Sequence, residues 1–193
     1  MSDTYTMRKL GADKIALLGL FVMALLTARF VVGLRSAILL SEPIPLPGEG
    51  ISMSVPVGNG WQSDGRWVRR EGLLTLASNF PVGASEPTAG VFCRYLTTAE
   101  PTTAQARFER EAVRARGNLV QIGEMQTEML IFTWARIEGQ DIPVMFVGIA
   151  ILPDGGQLDI SVVESTGDAE QAERAFRSVV ESVSVDVRPG MAA

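Results

Sequence analysis

The stretch IPVMFVGIAIL, Ile142 to Leu152, decides the fold. It is apolar almost without interruption, and a run of that kind reads as a central strand covered on both faces. MLIFTWARI (Met129 to Ile137) precedes it as a second long strand, separated by the hairpin signal EGQD. PDGG (Pro153 to Gly156) supplies a turn chemistry that leads into QLDISVVE (Gln157 to Glu164), and LVQIGEM (Leu119 to Met125) adds a further strand upstream.

Two helices flank this group. Thr102 or Thr103 is placed to cap a helix running to about Arg116, with Ala104, Phe108, Ala112 and Ala115 on its apolar side and Gly117 past its end. The last helix starts at DAEQ, where Asp168 and Gln171 resemble a capping box, and it aligns Ala172, Phe176, Val179, Val180 and Val183 on one stripe.

Toward the N-terminus, ISMSV (Ile51 to Val55) alternates as a half-buried strand does, and PVGNGWQSDG ends it with turn residues. RWVRRE, LLTLASNF and VFCRYLTT follow as short strands. A central antiparallel sheet with helices packed on it buries every apolar face. The expected class for residues 51–188 is therefore α+β, layered α/β/α, with 189–193 as a tail.

Upstream lies IALLGLFVMALLTARFVVGLRSAILL, Ile15 to Leu40. Its first part, Ile15 to Leu34, suffices to cross a hydrocarbon core of about 30 Å at ~1.5 Å per residue. A cleaved signal peptide needs small residues after its apolar core, but here Arg29 follows, so a retained transmembrane helix over 15–40 is expected. Arg8, Lys9 and Lys14 precede the span, which puts residues 1–14 in the cytoplasm and the large domain in the periplasm of an inner or intracytoplasmic membrane.

Arg35 then sits at the outer interface and Arg29 roughly 9 Å deeper along the helix. Two readings of Arg29 stand. It marks the outer boundary and snorkels to the headgroups, or it pairs with a polar group of a neighbouring membrane subunit or lipid. SEPIPLPGEG, Ser41 to Gly50, holds three prolines and two glycines and reads as an extended, semi-rigid linker.

Composition removes several function classes. The 193-residue chain has no histidine, and with it go the usual neutral-pH general base, the commonest metal ligand and every Ser-His or Cys-His nucleophile. The single cysteine, Cys93, reads as a buried structural thiol. The net charge of −5 argues against a nucleic-acid partner.

The acidic residues Asp154, Asp159, Glu164, Asp168 and Glu170 are the candidates for a cation site, and three of them have local explanations. Asp154 belongs to a turn, Asp159 alternates outward and Asp168 caps a helix, so no metal site is expected. Trp61 and Trp134 have two readings, as core aromatics or as the lining of an apolar pocket.

The order of these pieces resembles the PsbP-like family of small extracytoplasmic domains over about Ile51 to Val187. The resemblance is carried by the opening strand into Pro56 and GNGW (Gly58 to Trp61), the middle helix, the paired long strands and the terminal helix ending in ESVSVDV. It implies a non-catalytic extrinsic or accessory subunit, in some members beside photosynthetic complexes, with no catalytic residues and no cofactor.

The expectation is a single-span accessory subunit of a photosynthetic or respiratory membrane complex. Its expected partners are integral membrane subunits and lipids, with Arg29 and Arg35 as candidate contacts. The alternative is a membrane-tethered binding module that takes a small apolar ligand near Trp61 and Trp134.

Overall fold

The computed structural model describes residues 22–23, 38–46, 50–70, 73–80 and 82–186, with residues 64–70 described by their backbone. The chain divides into two units, Met1–Ala37 and Ile38–Ala193. Of the first unit Val22 and Met23 are described, both helical and exposed. The rest of the expected transmembrane segment up to Ala37 lies outside the described residues, and among those described no helix is long and apolar enough to cross a membrane.

The second unit is a mixed α+β domain. Its elements are β1 (Leu39–Leu40), β2 (Ile44–Pro45), β3 (Ile51–Met53), β4 (Pro56–Val57), β5 (Trp61–Arg70), β6 (Leu73–Asn79), β7 (Ala89–Leu96), α1 (Ala104–Arg114), β8 (Gly117–Gln126), β9 (Ile131–Gly139), β10 (Val144–Ile151), β11 (Gln157–Glu164), α2 (Ala169–Glu181) and β12 (Ser184–Val185). A seven-stranded sheet runs in the order β5-β6-β7-β11-β10-β9-β8, with every neighbouring pair antiparallel.

β10 is the inner strand expected from its apolar run, buried at every position from Val144 to Ala150. Alternation divides it between two cores. Val144, Phe146 and Ala150 join the larger core under α2, while Met145, Val147 and Ile149 join a smaller one under α1. The two helices therefore cover opposite faces of the sheet.

α2 forms as its residues dictate. The Asp168 side chain accepts from the Gln171 N–H at 3.0 Å, satisfying one of the free donors of the first turn. Ala172, Phe176, Val179 and Val180 are buried along the stripe that meets β10 and β11. Phe176 lies so close over Gly148 that a Cβ there would come within 2.8 Å of its ring. Removing Phe176 would cost about 3–5 kcal/mol, the usual range for deleting a buried aromatic side chain. At the other end of α2, the Ser182 hydroxyl accepts from Ser54 N–H at 2.9 Å, tying the helix to the N-terminal segment.

α1 is capped by Thr103, whose hydroxyl accepts from Ala106 N–H at 3.3 Å. It stops at Arg114 rather than Arg116, because Arg116 turns the chain in a left-handed conformation at φ 47°. Gly117 has a different role from the helix stop expected of it. It begins β8, where a Cβ would lie 2.1 Å from the Glu138 carbonyl oxygen of the neighbouring strand.

The expected linker is, over its described part, built into the domain. Ile44 and Pro45 pair with Met53 and Ser52 of β3, and Leu46 is buried. Pro45 lies on an edge of the three-stranded sheet β12-β3-β2, where its missing N–H leaves no ladder bond unmade. Leu39 and Leu40 pair with Val57 and Pro56, so the folded unit starts at Ile38, inside the segment 15–40 assigned to the membrane.

Candidate functional site

The strand pair β7 and β11 carries a charged group on the face under α1. Arg94 and Asp159 are direct cross-strand partners, and both Nε and Nη2 of Arg94 donate to Asp159 Oδ2, at 2.9 and 2.6 Å. The other carboxylate oxygen accepts from Gln157 Nε2 at 2.6 Å. Asp159 does alternate away from Leu158 and Ile160, as its position requires, but the outward face is not solvent. It is 5% exposed, roofed by α1 and the loop leading into it.

That loop and helix complete the group. Arg107 of α1 bonds Glu100 at 2.6 Å and reaches Asp159 at 3.4 Å, while Arg94 also reaches Glu100 at 3.0 Å. Burial alone pushes the Glu100 carboxyl up, but the hydrogen bond and charge of Arg107, with those of Arg94, outweigh it and hold the group below its usual range. The Glu100 N–H donates to Gln157 Oε1 at 3.0 Å, and Ala99 N–H donates to the Gly155 carbonyl at 3.0 Å, fixing the loop on the β10–β11 turn.

Beside this network a cleft of about 620 Å³ opens. Glu100, Thr102, Arg107 and Gln157 form its polar wall, and Leu130, Ile149 and Leu152 are buried in its apolar floor. Ile131, Ile151 and Met129 at its mouth are 59%, 56% and 45% exposed. The β8–β9 turn that presents Met129 and Ile131 is locked by the Thr127 hydroxyl, which accepts from Leu130 N–H at 3.0 Å.

The network's charges are spent on one another, so it fastens β7, β11 and α1 together. The cleft is the part left open for binding. Among the described residues no group of His, Cys, Asp or Glu side chains is arranged to hold a metal ion.

Trp61 and Trp134 are both core residues at 6% exposure. Trp134 packs against Phe146 and Phe176 with ring centroids 6.0 and 6.4 Å apart, and Arg177 lies over its ring at 5.7 Å. The hollow lined by Trp134, Phe146 and Phe176 has no room for a water molecule. Cys93 is fully buried in β7, and burial with the nearby charge of Asp159 pushes its thiol up to about 12. Arg29 and Arg35 lie outside the described residues.

Glu164 is a further residue that the sequence did not single out for structure. It is 1% exposed, and its carboxylate accepts from the N–H groups of Thr166 at 2.9 Å and Asp168 at 2.7 Å and from the Thr166 hydroxyl at 2.5 Å. It organises the turn that launches α2.

A seven-stranded antiparallel sheet with one described helix on each face makes a small α/β/α domain with a PsbP-like fold. The chain is similar to the solution structure of cyanobacterial PsbP (CyanoP) from Synechocystis sp. PCC 6803, with a TM-score of 0.51 at 12% identity, covering 77% of this chain and 94% of that one. No protein-family model and no curated protein matches the sequence.

Proposed function

We propose that this chain is a non-catalytic accessory subunit of a larger membrane complex. It is held by one N-terminal span with its N-terminus in the cytoplasm and presents the PsbP-like domain in the periplasm. Arg29 and Arg35 face neighbouring membrane subunits or lipid. The complex is a reaction-centre or antenna assembly, or else a respiratory one, and the likeness to a cyanobacterial PsbP favours the photosynthetic choice.

The observation that carries this reading is the cleft mouth. Ile131, Ile151 and Met129 stay in solvent around an open cleft with an apolar floor, and open apolar surface of that kind marks association. The test is a native gel of gently solubilised membranes. Migration with a larger assembly is expected, and migration as a free monomer in detergent would overturn the proposal.

The tethered-binding-module reading is supported by the cleft, while the hollow at Trp134 has no room for a ligand. About 620 Å³ lies within the range of ~300–1,000 Å³ typical of small-molecule sites. It is distinguished by titrating the purified chain with a fluorescent apolar probe. Saturable binding lost on Ile149→Asp would favour it over the subunit reading.

A further inference from the structure

The cleft has a rim whose charge is not balanced. Glu124 stands directly opposite Thr133 in the β8–β9 register, and Thr133 lines the cleft. Glu128 lies in the turn beside Met129, and Asp154 in the turn after Pro153; all three acids are exposed. Among the described residues no ion pair reaches any of them. Arg107, the cation that lines the cleft, is paired with Glu100, Glu111 and Asp159, and Arg110 is paired with Glu100. An apolar mouth is thus edged by three uncompensated carboxylates.

That pattern selects among occupants. Anionic lipid headgroups would be repelled by Glu124, Glu128 and Asp154. A second copy of a chain with net charge −5 brings like charge to the same rim. A protein segment with an apolar face and basic edges meets both features, covering Ile131 and Ile151 while its cations approach the acids.

We propose that the cleft receives an amphipathic segment of a partner protein, apolar where it meets Ile131 and Ile151 and bearing lysine or arginine where it passes Glu124, Glu128 and Asp154. This rests on the accessory-subunit reading and names the chemistry of the contact. Steering by the rim makes association fall as salt rises, while the apolar floor sets how long the segment stays.

The test uses the full chain in detergent and two labelled peptides. One carries a leucine stripe flanked by lysines, and the other has glutamates in place of the lysines. Wild type is expected to bind the lysine peptide at least about tenfold more tightly, as a few charge contacts of this kind supply. Glu124→Lys with Glu128→Lys, matched to wild type by circular dichroism and melting, is expected to reverse the order. Ile131→Asp is expected to weaken both peptides.

Equal affinities, or no binding, would overturn the proposal. So would adherence to anionic vesicles, or self-association of wild type, if abolished by Ile131→Asp. In membranes, a charge-reversed double variant that still assembles sinks the cleft proposal and leaves the subunit reading intact. A wild type that joins no complex sinks the subunit reading, and the peptide titration still decides the cleft.

Discussion

Arg94 and Asp159 face each other across β7 and β11, and the guanidinium closes on one carboxylate oxygen through two nitrogens at 2.9 and 2.6 Å. Because Asp159 is 5% exposed, removing Arg94 takes away its closest charge partner and leaves the buried carboxylate with only the 3.4 Å contact to Arg107 and the Gln157 amide. Arg94→Met is expected to cost up to about 3 kcal/mol, whereas Arg94→Met with Asp159→Leu recovers part of that loss because the under-paired buried carboxylate is removed with its partner. Urea unfolding of both variants measures this, and equal losses would contradict it.

Acid tests the same network from another side. Glu100 is held below the usual glutamate value of 4.5 by Arg107 and Arg94 against the upward push of burial. At low pH the unfolded chain takes up the proton first. The stability from this group is therefore present above about 4.5 and is lost as pH falls through the folded value. Unfolding midpoints measured from neutral pH downward are expected to fall more steeply in that window for wild type than for Glu100→Gln. Parallel curves would contradict it.

The turn into α2 depends on one carboxylate. Glu164→Ala takes the charged acceptor away from the N–H groups of Thr166 and Asp168, and each such charge-assisted bond is worth about 1.5 kcal/mol. A drop in thermal midpoint with slower-exchanging core amides preserved in β10 is the expected result. An unchanged midpoint would show that the turn holds without Glu164.

Cys93 is expected to be inert. With its thiol pushed up to about 12 and no exposed surface, it holds almost no thiolate at neutral pH. A coloured disulfide reagent is expected to react only as fast as the domain unfolds and at once in urea. Rapid reaction of the native chain would contradict this.

What was legible in the sequence follows from how local each signal is. The unbroken apolar run of β10 and the Asp168 cap of α2 are written in neighbouring residues, and both elements formed where expected. Asp159 was misread because alternation gives the face of a residue, not what covers that face. Its partner Arg94 lies on a strand far away in sequence, and only the β7–β11 pairing brings them together.

The linker was misread for a related reason. The prolines of residues 41–50 do favour extended backbone, but extended backbone is also what an edge strand needs, and β3 was there to pair with it. The cleft was invisible because its walls come from the loop before α1, the β8–β9 turn and the β10–β11 turn, which meet only in the folded sheet.

Whether the chain works as a membrane-held subunit is read most directly from its assembly state in native membranes. Membranes bearing wild type or Arg29→Leu at equal abundance are solubilised gently, and the fraction of each that co-purifies with a larger complex is determined. Wild type is expected to travel with the complex; if Arg29 pairs with a neighbouring subunit, the variant inserts but co-purifies less, because that partner would be left unpaired in low dielectric, and equal fractions would sink the pairing. A wild-type chain that runs as a free monomer would contradict the subunit reading.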